Sequence, residues 1–106
     1  MDKLQKQQYY NYLYSFYQNL LTEKQQEIFE DYNYNDYSLS EIAENHEISR
    51  NAVHDTLKKV EKALEHYEEK LNLYSKSKET EKLLDELVNH TNDEGKAIIK
   101  RIKEME

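Results

Sequence analysis

Apolar positions recur at helical spacing along most of the chain. Leu13, Phe16, Tyr17, Leu20 and Leu21 fall at i, i+3, i+4, i+7 and i+8, which predicts a first helix over 3–21 with one apolar face. Ile28, Phe29 and Tyr32 predict a second helix, and Leu39, Ile42 and Ala43 a short third. Val53, Leu57, Val60, Leu64, Tyr67, Leu71 and Tyr74 are then spaced alternately by four and three, a heptad pattern with no Gly or Pro inside it. That predicts one long helix. The polar run Ser75 to Thr80 is expected to break or fray it. Leu83, Leu84, Leu87 and Val88 predict a short amphipathic helix, and Ile98, Ile99, Ile102 and Met105 a last one. The expected fold class is all-α.

The starts of these helices carry capping signals. Thr22-x-x-Gln25 and Ser38-x-x-Glu41 have the capping-box spacing, in which a hydroxyl accepts an orphan N–H and the longer side chain reaches back. Thr91-x-x-Glu94 offers a third. Ser49 is an N-cap candidate directly before Arg50. Three helices with short breaks between 22 and 62 have the form of a helix-turn-helix core. Ala43 permits a close helix crossing, and Ile48 is expected to plug the corner. The turn Asn45-His46-Glu47 lacks Gly, and a left-handed residue is expected at Asn45 or His46 rather than at Glu47.

In such a core the helix opened by Ser49 is the recognition helix. With Val53 and Leu57 inward, Arg50, Asn51, His54, Asp55 and Lys58 point outward, and Lys59 follows. Arg, Asn and Lys are types that read base edges or hold phosphates. The candidate DNA-binding set is therefore Arg50, Asn51, His54, Lys58 and Lys59. The plainer alternative is a solvated face on a compact three-helix core.

Leu39-Ser-Glu-Ile-Ala-Glu followed by Ile48-Ser-Arg-Asn-Ala-Val resembles region 4 of the sigma-70 type transcription factors. A narrower resemblance is carried by Asn11-Tyr-Leu-Tyr-Ser-Phe-Tyr-Gln-Asn-Leu-Leu-Thr, Asp36-Tyr-Ser-Leu-Ser-Glu-Ile-Ala, Ile48-Ser-Arg-Asn-Ala-Val-His-Asp and Tyr67-Glu-Glu-Lys-Leu. These four blocks, in this order between Tyr10 and Tyr74, look like the YlxM-type helix-turn-helix proteins. The resemblance implies a small all-α cytosolic regulatory protein. It also implies a tie to the signal recognition particle (SRP) pathway, whose GTPase genes lie beside those of this family, and hence SRP protein or RNA components as partners.

Charge qualifies the DNA reading. The chain has 106 residues and a net charge of −7, against the basic footprint of a general nucleic-acid binder. Eight acids stand against Lys24 between Glu23 and Glu47, whereas Arg50, Lys58 and Lys59 stand against only Asp55 in the next stretch. The local sign reverses at the recognition helix. Two classes of function remain open: a DNA-binding regulator, and an adaptor that uses the same scaffold to bind protein or ribonucleoprotein.

The length fits one domain over 1–106, with a C-terminal helical extension over 76–106. The chain has one Gly, no Pro and no Cys, so long helices are favoured and disulfides are impossible. No apolar run approaches the roughly 20 residues of a membrane span, and the first residues do not resemble a signal peptide. The expected location is the cytoplasm. The heptad stripe from Val53 to Tyr74 would extend about 32 Å, while the stripe from Leu13 to Leu21 extends about 12 Å. Leu64, Tyr67, Leu71 and Tyr74 therefore form a candidate seam, covered by a second copy in a homodimer or by the chain's own C-terminal helices. Tyr9, Tyr10, Tyr12 and Tyr14 suit a half-buried seam better than a base-stacking ladder. The basic side of the last helix, with Lys96, Lys100, Arg101 and Lys103, fits its own dipole better than a membrane surface.

No catalytic constellation, phosphate loop or metal-ligand spacing is present, so no enzyme activity, metal or cofactor is expected. His46, His54, His66 and His90 are scattered and read as surface residues. His54 is the exception in interest, because it lies on the recognition face.

Overall fold

The computed structural model describes Asp2 to Met105. Among those residues it holds six α-helices, one 3₁₀ turn and no strand: α1 (Lys3–Tyr17), a 3₁₀ turn (Gln18–Leu20), α2 (Glu23–Asn33), α3 (Leu39–His46), α4 (Arg50–Leu71), α5 (Leu73–Val88) and α6 (Asp93–Glu104). The chain divides into two compact units, Met1–Leu71 and Asn72–Glu106. The division falls after Leu71, not near 76.

In the first unit the caps set the helix starts. Thr22 and Gln25 bond reciprocally at 3.0 and 3.1 Å, and Ser38 and Glu41 at 3.2 and 3.1 Å. Ser49 Oγ accepts from the Ala52 N–H at 3.0 Å and opens α4. The core of α2, α3 and α4 joins Ile28, Ile42, Ala43, Val53 and Leu57, with Tyr32, Leu39 and Ile48 packed against it. Ile48 fills the corner, as the pattern required.

The left-handed residue in that corner is Glu47 (φ 55°, ψ 41°), not Asn45 or His46. Ile48 decides the position. To reach the core it must fold back on Ala43, and its N–H bonds the Ala43 carbonyl at 3.0 Å while the Glu47 N–H bonds that of Glu44 at 3.3 Å. This is the Schellman arrangement, and it requires the residue before Ile48 to be left-handed. His46 remains helical because its ring is engaged elsewhere. Its Nε2 lies 3.0 Å from Asp31 Oδ2 and its Nδ1 4.0 Å from Glu27 Oε2. With 13% of its side chain exposed, His46 ties α3 to α2 and is no simple surface residue.

The first helix packs through a different stripe from the one its Leu and Phe residues suggest. Tyr10, Leu13, Tyr14, Tyr17 and Leu21 are buried, while Phe16 and Leu20 are exposed. Carboxylates on neighbouring helices explain the change of phase. Tyr10 Oη donates to Glu65, Tyr14 Oη to Glu30 at 2.5 Å, and Tyr17 Oη to Glu68 at 2.6 Å. Buried tyrosine hydroxyls need such acceptors, so the aromatic face wins over the apolar one. Tyr14 also stacks on Phe29 at 4.3 Å, and Tyr34 meets both rings edge-on.

The long helix departs from the heptad as well. Its buried positions are Val53, Leu57, Val60, Leu64 and Glu68, spaced 4, 3, 4 and 4. A straight helix takes 3.6 rather than 3.5 residues per turn and so lags behind the heptad, and the seam drifts from Tyr67 to Glu68. Leu64 is fully buried within the chain, Tyr67 is half-buried and Leu71 is exposed. Tyr74 is not on this helix, because Asn72 (φ 56°) ends it. Asn tolerates the left-handed region, whereas the Ser75–Thr80 run, without Gly or Pro, is helical.

In the second unit α5 and α6 pack together, burying Leu84 and Ile99. Asn92, not Thr91, caps α6, accepting from the Gly95 N–H at 2.8 Å. Gly95 sits against Thr91: a Cβ there would lie 1.9 Å from the Thr91 hydroxyl oxygen. Lys103 pairs with Asp85 across the hairpin.

Candidate nucleic-acid interface

Arg50 and Asn51 occupy the first turn of α4, and both are exposed. Asn51, His54, Asp55 and Lys58 fall at i, i+3, i+4 and i+7, so they share a stripe directed away from Val53, Leu57 and Val60. Arg50 and Lys59 flank that stripe and are exposed too. From Arg50 to Lys59 the helix extends about 13 Å, close to the roughly 12 Å width of a DNA major groove. The stripe carries internal partners. His54 Nδ1 lies 3.8 Å from Asp55 Oδ1, and Lys58 Nζ lies 3.4 Å from Glu61 Oε2. Both pairs are solvated and weak, so His54 and Lys58 can change partner at small cost.

Two clefts of opposite character lie in this unit. One, of about 200 Å³, is lined by Lys3, Lys6, Gln7 and Tyr10 of α1, Tyr32 and Asn33 of α2, and Lys58 and Glu61 of α4. The other, of about 310 Å³, is lined by Glu27, Glu30, Asp31, Asn35 and His46. Lys3 and Lys6 escaped the reading of the sequence because they lie far from the helix-turn-helix core in the chain. The available signal was Lys3-x-x-Lys6-Gln7-x-x-Tyr10, which places four polar-headed side chains on one helix face. Of the candidate seam residues, Leu64 belongs to the interior of this unit, while Leu71 remains accessible at its last turn.

A family model described as "Putative helix-turn-helix protein, YlxM / p13 like" (UPF0122) matches residues 4–105. The chain belongs to this family. UPF0122 proteins similar to it include one from Oceanobacillus iheyensis, 53% identical over 83 residues, covering 78% of this chain and 79% of that protein. One from Geobacillus sp. WCH70 is 43% identical over 106 residues, covering 97% and 96%. One from Bacillus pumilus is 45% identical over 101 residues, covering 91% and 92%. The UPF0122 match thus includes α5 and α6 as well as the helix-turn-helix core. Among the described residues no helix is long and apolar enough to cross a membrane.

Proposed function

We propose that this UPF0122 protein is a non-enzymatic, cytoplasmic helix-turn-helix regulator that binds DNA through Arg50, Asn51, His54, Lys58 and Lys59. The observation that carries the reading is the exposed polar stripe of α4, which faces away from its own buried side and opens with Arg50 and Asn51. Those two types make bidentate contacts to guanine and adenine edges. The resemblance to the YlxM-type proteins supports SRP components as what is regulated. Selection of bound duplexes from a random pool tests the reading. Arg50→Ala should keep the fold and weaken the selected site by about 1–3 kcal/mol, as loss of a base contact does. A pool that shows no enrichment would defeat the reading.

A second reading is supported by charge. The first unit carries eight Lys and Arg against fourteen Asp and Glu, and the second cleft holds Glu27, Glu30 and Asp31 together. Such a field repels a duplex and attracts a basic protein surface. On this reading the protein is an adaptor that engages SRP components through their protein surfaces. Capture of partners with and without nuclease separates the two. Protein partners that survive nuclease support the adaptor, and loss of all partners supports nucleic acid.

Homodimer formation belongs to the same proposal, since paired recognition helices read paired half-sites. What supports it is the second unit, where Leu83, Leu87, Ile98 and Ile102 are 37–54% exposed on a two-helix hairpin. The unit's own net charge is only −1, from seven bases and eight acids, so self-repulsion is small.

A further inference from the structure

We infer that the cleft between α1 and α4 is a second anchoring point for duplex DNA, in which Lys3, Lys6 and Lys58 hold backbone phosphates beside the recognition stripe. The inference rests on the DNA-binding reading above and extends it to residues outside the helix-turn-helix core.

The side-by-side course of the two helices builds the cleft. Tyr10 is tied to Glu65 and Tyr17 to Glu68, so the earlier turns of α1 come alongside the earlier turns of α4. Lys6 and Lys3 thereby reach the level of Glu61 and Lys58. Lys58 is shared: it lines the cleft and also ends the stripe that begins at Asn51. Seven residues separate Asn51 from Lys58, about 10 Å along the axis, so a duplex seated on Asn51 brings its backbone to the cleft mouth.

The lining suits phosphate. Three ammonium groups face one carboxylate, Glu61, which already pairs with Lys58. The local balance of +2 stands inside a unit whose net charge is −6, so the cleft repels an anion less than the unit as a whole does. Gln7, Asn33 and Tyr32 add neutral donors of the kinds that hold phosphate oxygens. Lys6 Nζ lies 5.9 Å from the Tyr10 ring centre, which keeps its stem over the cleft wall. The opposing charge on α1 is Asp2, whose carboxylate is occupied as the cap of that helix, accepting from the Gln5 N–H at 2.8 Å.

Salt dependence supplies the test. Arg50, Lys58 and Lys59 alone would give a log–log slope of about −2.7, and Lys3 with Lys6 would steepen it to about −4.5. Binding of a labelled random 30-base-pair duplex is measured between 25 and 200 mM KCl for the wild type, Lys3→Gln/Lys6→Gln, Arg50→Ala and Lys96→Gln/Lys100→Gln, each checked for helicity. The expected result is a slope about 1.8 shallower for Lys3→Gln/Lys6→Gln, with the wild-type slope kept by Lys96→Gln/Lys100→Gln. If the wild type binds, Arg50→Ala weakens binding and Lys3→Gln/Lys6→Gln keeps the full slope, the cleft assignment is overturned and the recognition-helix reading stands. An equal loss in Lys96→Gln/Lys100→Gln also overturns it, because removal of any two cations would then suffice. A wild type that binds no duplex at 25 mM KCl removes the DNA-binding reading and the cleft with it.

Discussion

Tyr14→Phe isolates what the tyrosine seam contributes to the fold. The ring of Tyr14 is 1% exposed, stacks on Phe29 at 4.3 Å and donates its hydroxyl to Glu30 at 2.5 Å. Phe keeps the ring and the stack and removes only that bond. A hydrogen bond to a carboxylate contributes about 1.5–3 kcal/mol, and water can replace the hydroxyl at half-buried Glu30, so a loss of about 1–2 kcal/mol is expected. A unit of this size has a stability of roughly 4–11 kcal/mol. With a urea slope of about 1–3 kcal/mol per molar, the midpoint should fall by about 0.3–2 M without a change in slope. Tyr14→Ala should cost about 3–5 kcal/mol, enough to unfold the unit only if its stability lies near the lower end of its range. The pH dependence has a definite sign. Burial first, then the Glu30 bond and charge, raises the Tyr14 hydroxyl pKa well above the usual 10, and burial with Glu65 does the same at Tyr10. A group whose folded pKa is raised contributes stability that is complete below the unfolded pKa and lost as pH rises through the folded one. The protein should therefore lose stability above about pH 10, and Tyr14→Phe should lose less of it. Urea titrations followed by circular dichroism at pH 7 and pH 10.5 read both effects. A Tyr14→Phe protein as stable as wild type at pH 7, with an unchanged alkaline loss, would refute the proposed bond.

Three further outcomes follow from single features. Glu47→Gly should raise stability by up to about 1 kcal/mol, because Gly enters the left-handed region without the Cβ penalty; a lower urea midpoint would place the turn elsewhere. His46→Ala should lower stability by about 1–2 kcal/mol through loss of the Asp31 contact, read by thermal unfolding at pH 7, and no change would mean that the α2–α3 tie is unimportant. In sedimentation equilibrium at tens of micromolar, wild type should be dimeric, Leu87→Glu/Ile98→Glu monomeric and folded, and Leu71→Glu still dimeric. A monomeric wild type, or a dimer broken only by Leu71→Glu, would remove the second unit as the pairing surface.

Helix number, the caps of α2, α3 and α4 and the helix-turn-helix core were legible in the sequence because they depend on local signals, whereas the Thr91 box was displaced by Asn92. Thr22, Ser38 and Ser49 each announce a start within three residues, and Ile28, Ile42, Val53 and Leu57 are apolar at regular spacing. What was not legible depends on partners distant in the chain. Tyr10, Tyr14 and Tyr17 outcompete Phe16 and Leu20 only because Glu65, Glu30 and Glu68 lie opposite. Glu68 looked like a solvated charge because burial of a carboxylate has no local signature. The drift from a heptad seam to the real one needs the position of α1, which periodicity in α4 does not contain. Asn72 carried the weak signal of a residue tolerant of left-handed geometry, and the polar run after it was the more conspicuous but mistaken break. Of the DNA-contact candidates, exposure followed from helix phase, while Lys3 and Lys6 required the fold.

The three hydroxyl–carboxylate pairs of α1 also bear on how relatives of this chain can diverge. Each pair joins residues separated by 16 to 55 positions in sequence. Losing the tyrosine hydroxyl alone removes a donor from the carboxylate, and losing the carboxylate alone leaves a buried hydroxyl with one acceptor fewer, so each intermediate is less stable than either end point. Drift on this helix should therefore proceed in coupled steps, with positions 10 and 65, 14 and 30, and 17 and 68 changing as pairs across lineages. The coupling should be tightest at 17 and 68, where both side chains are buried, and loosest at 10 and 65, where Glu65 is exposed and solvent can take the place of a lost partner.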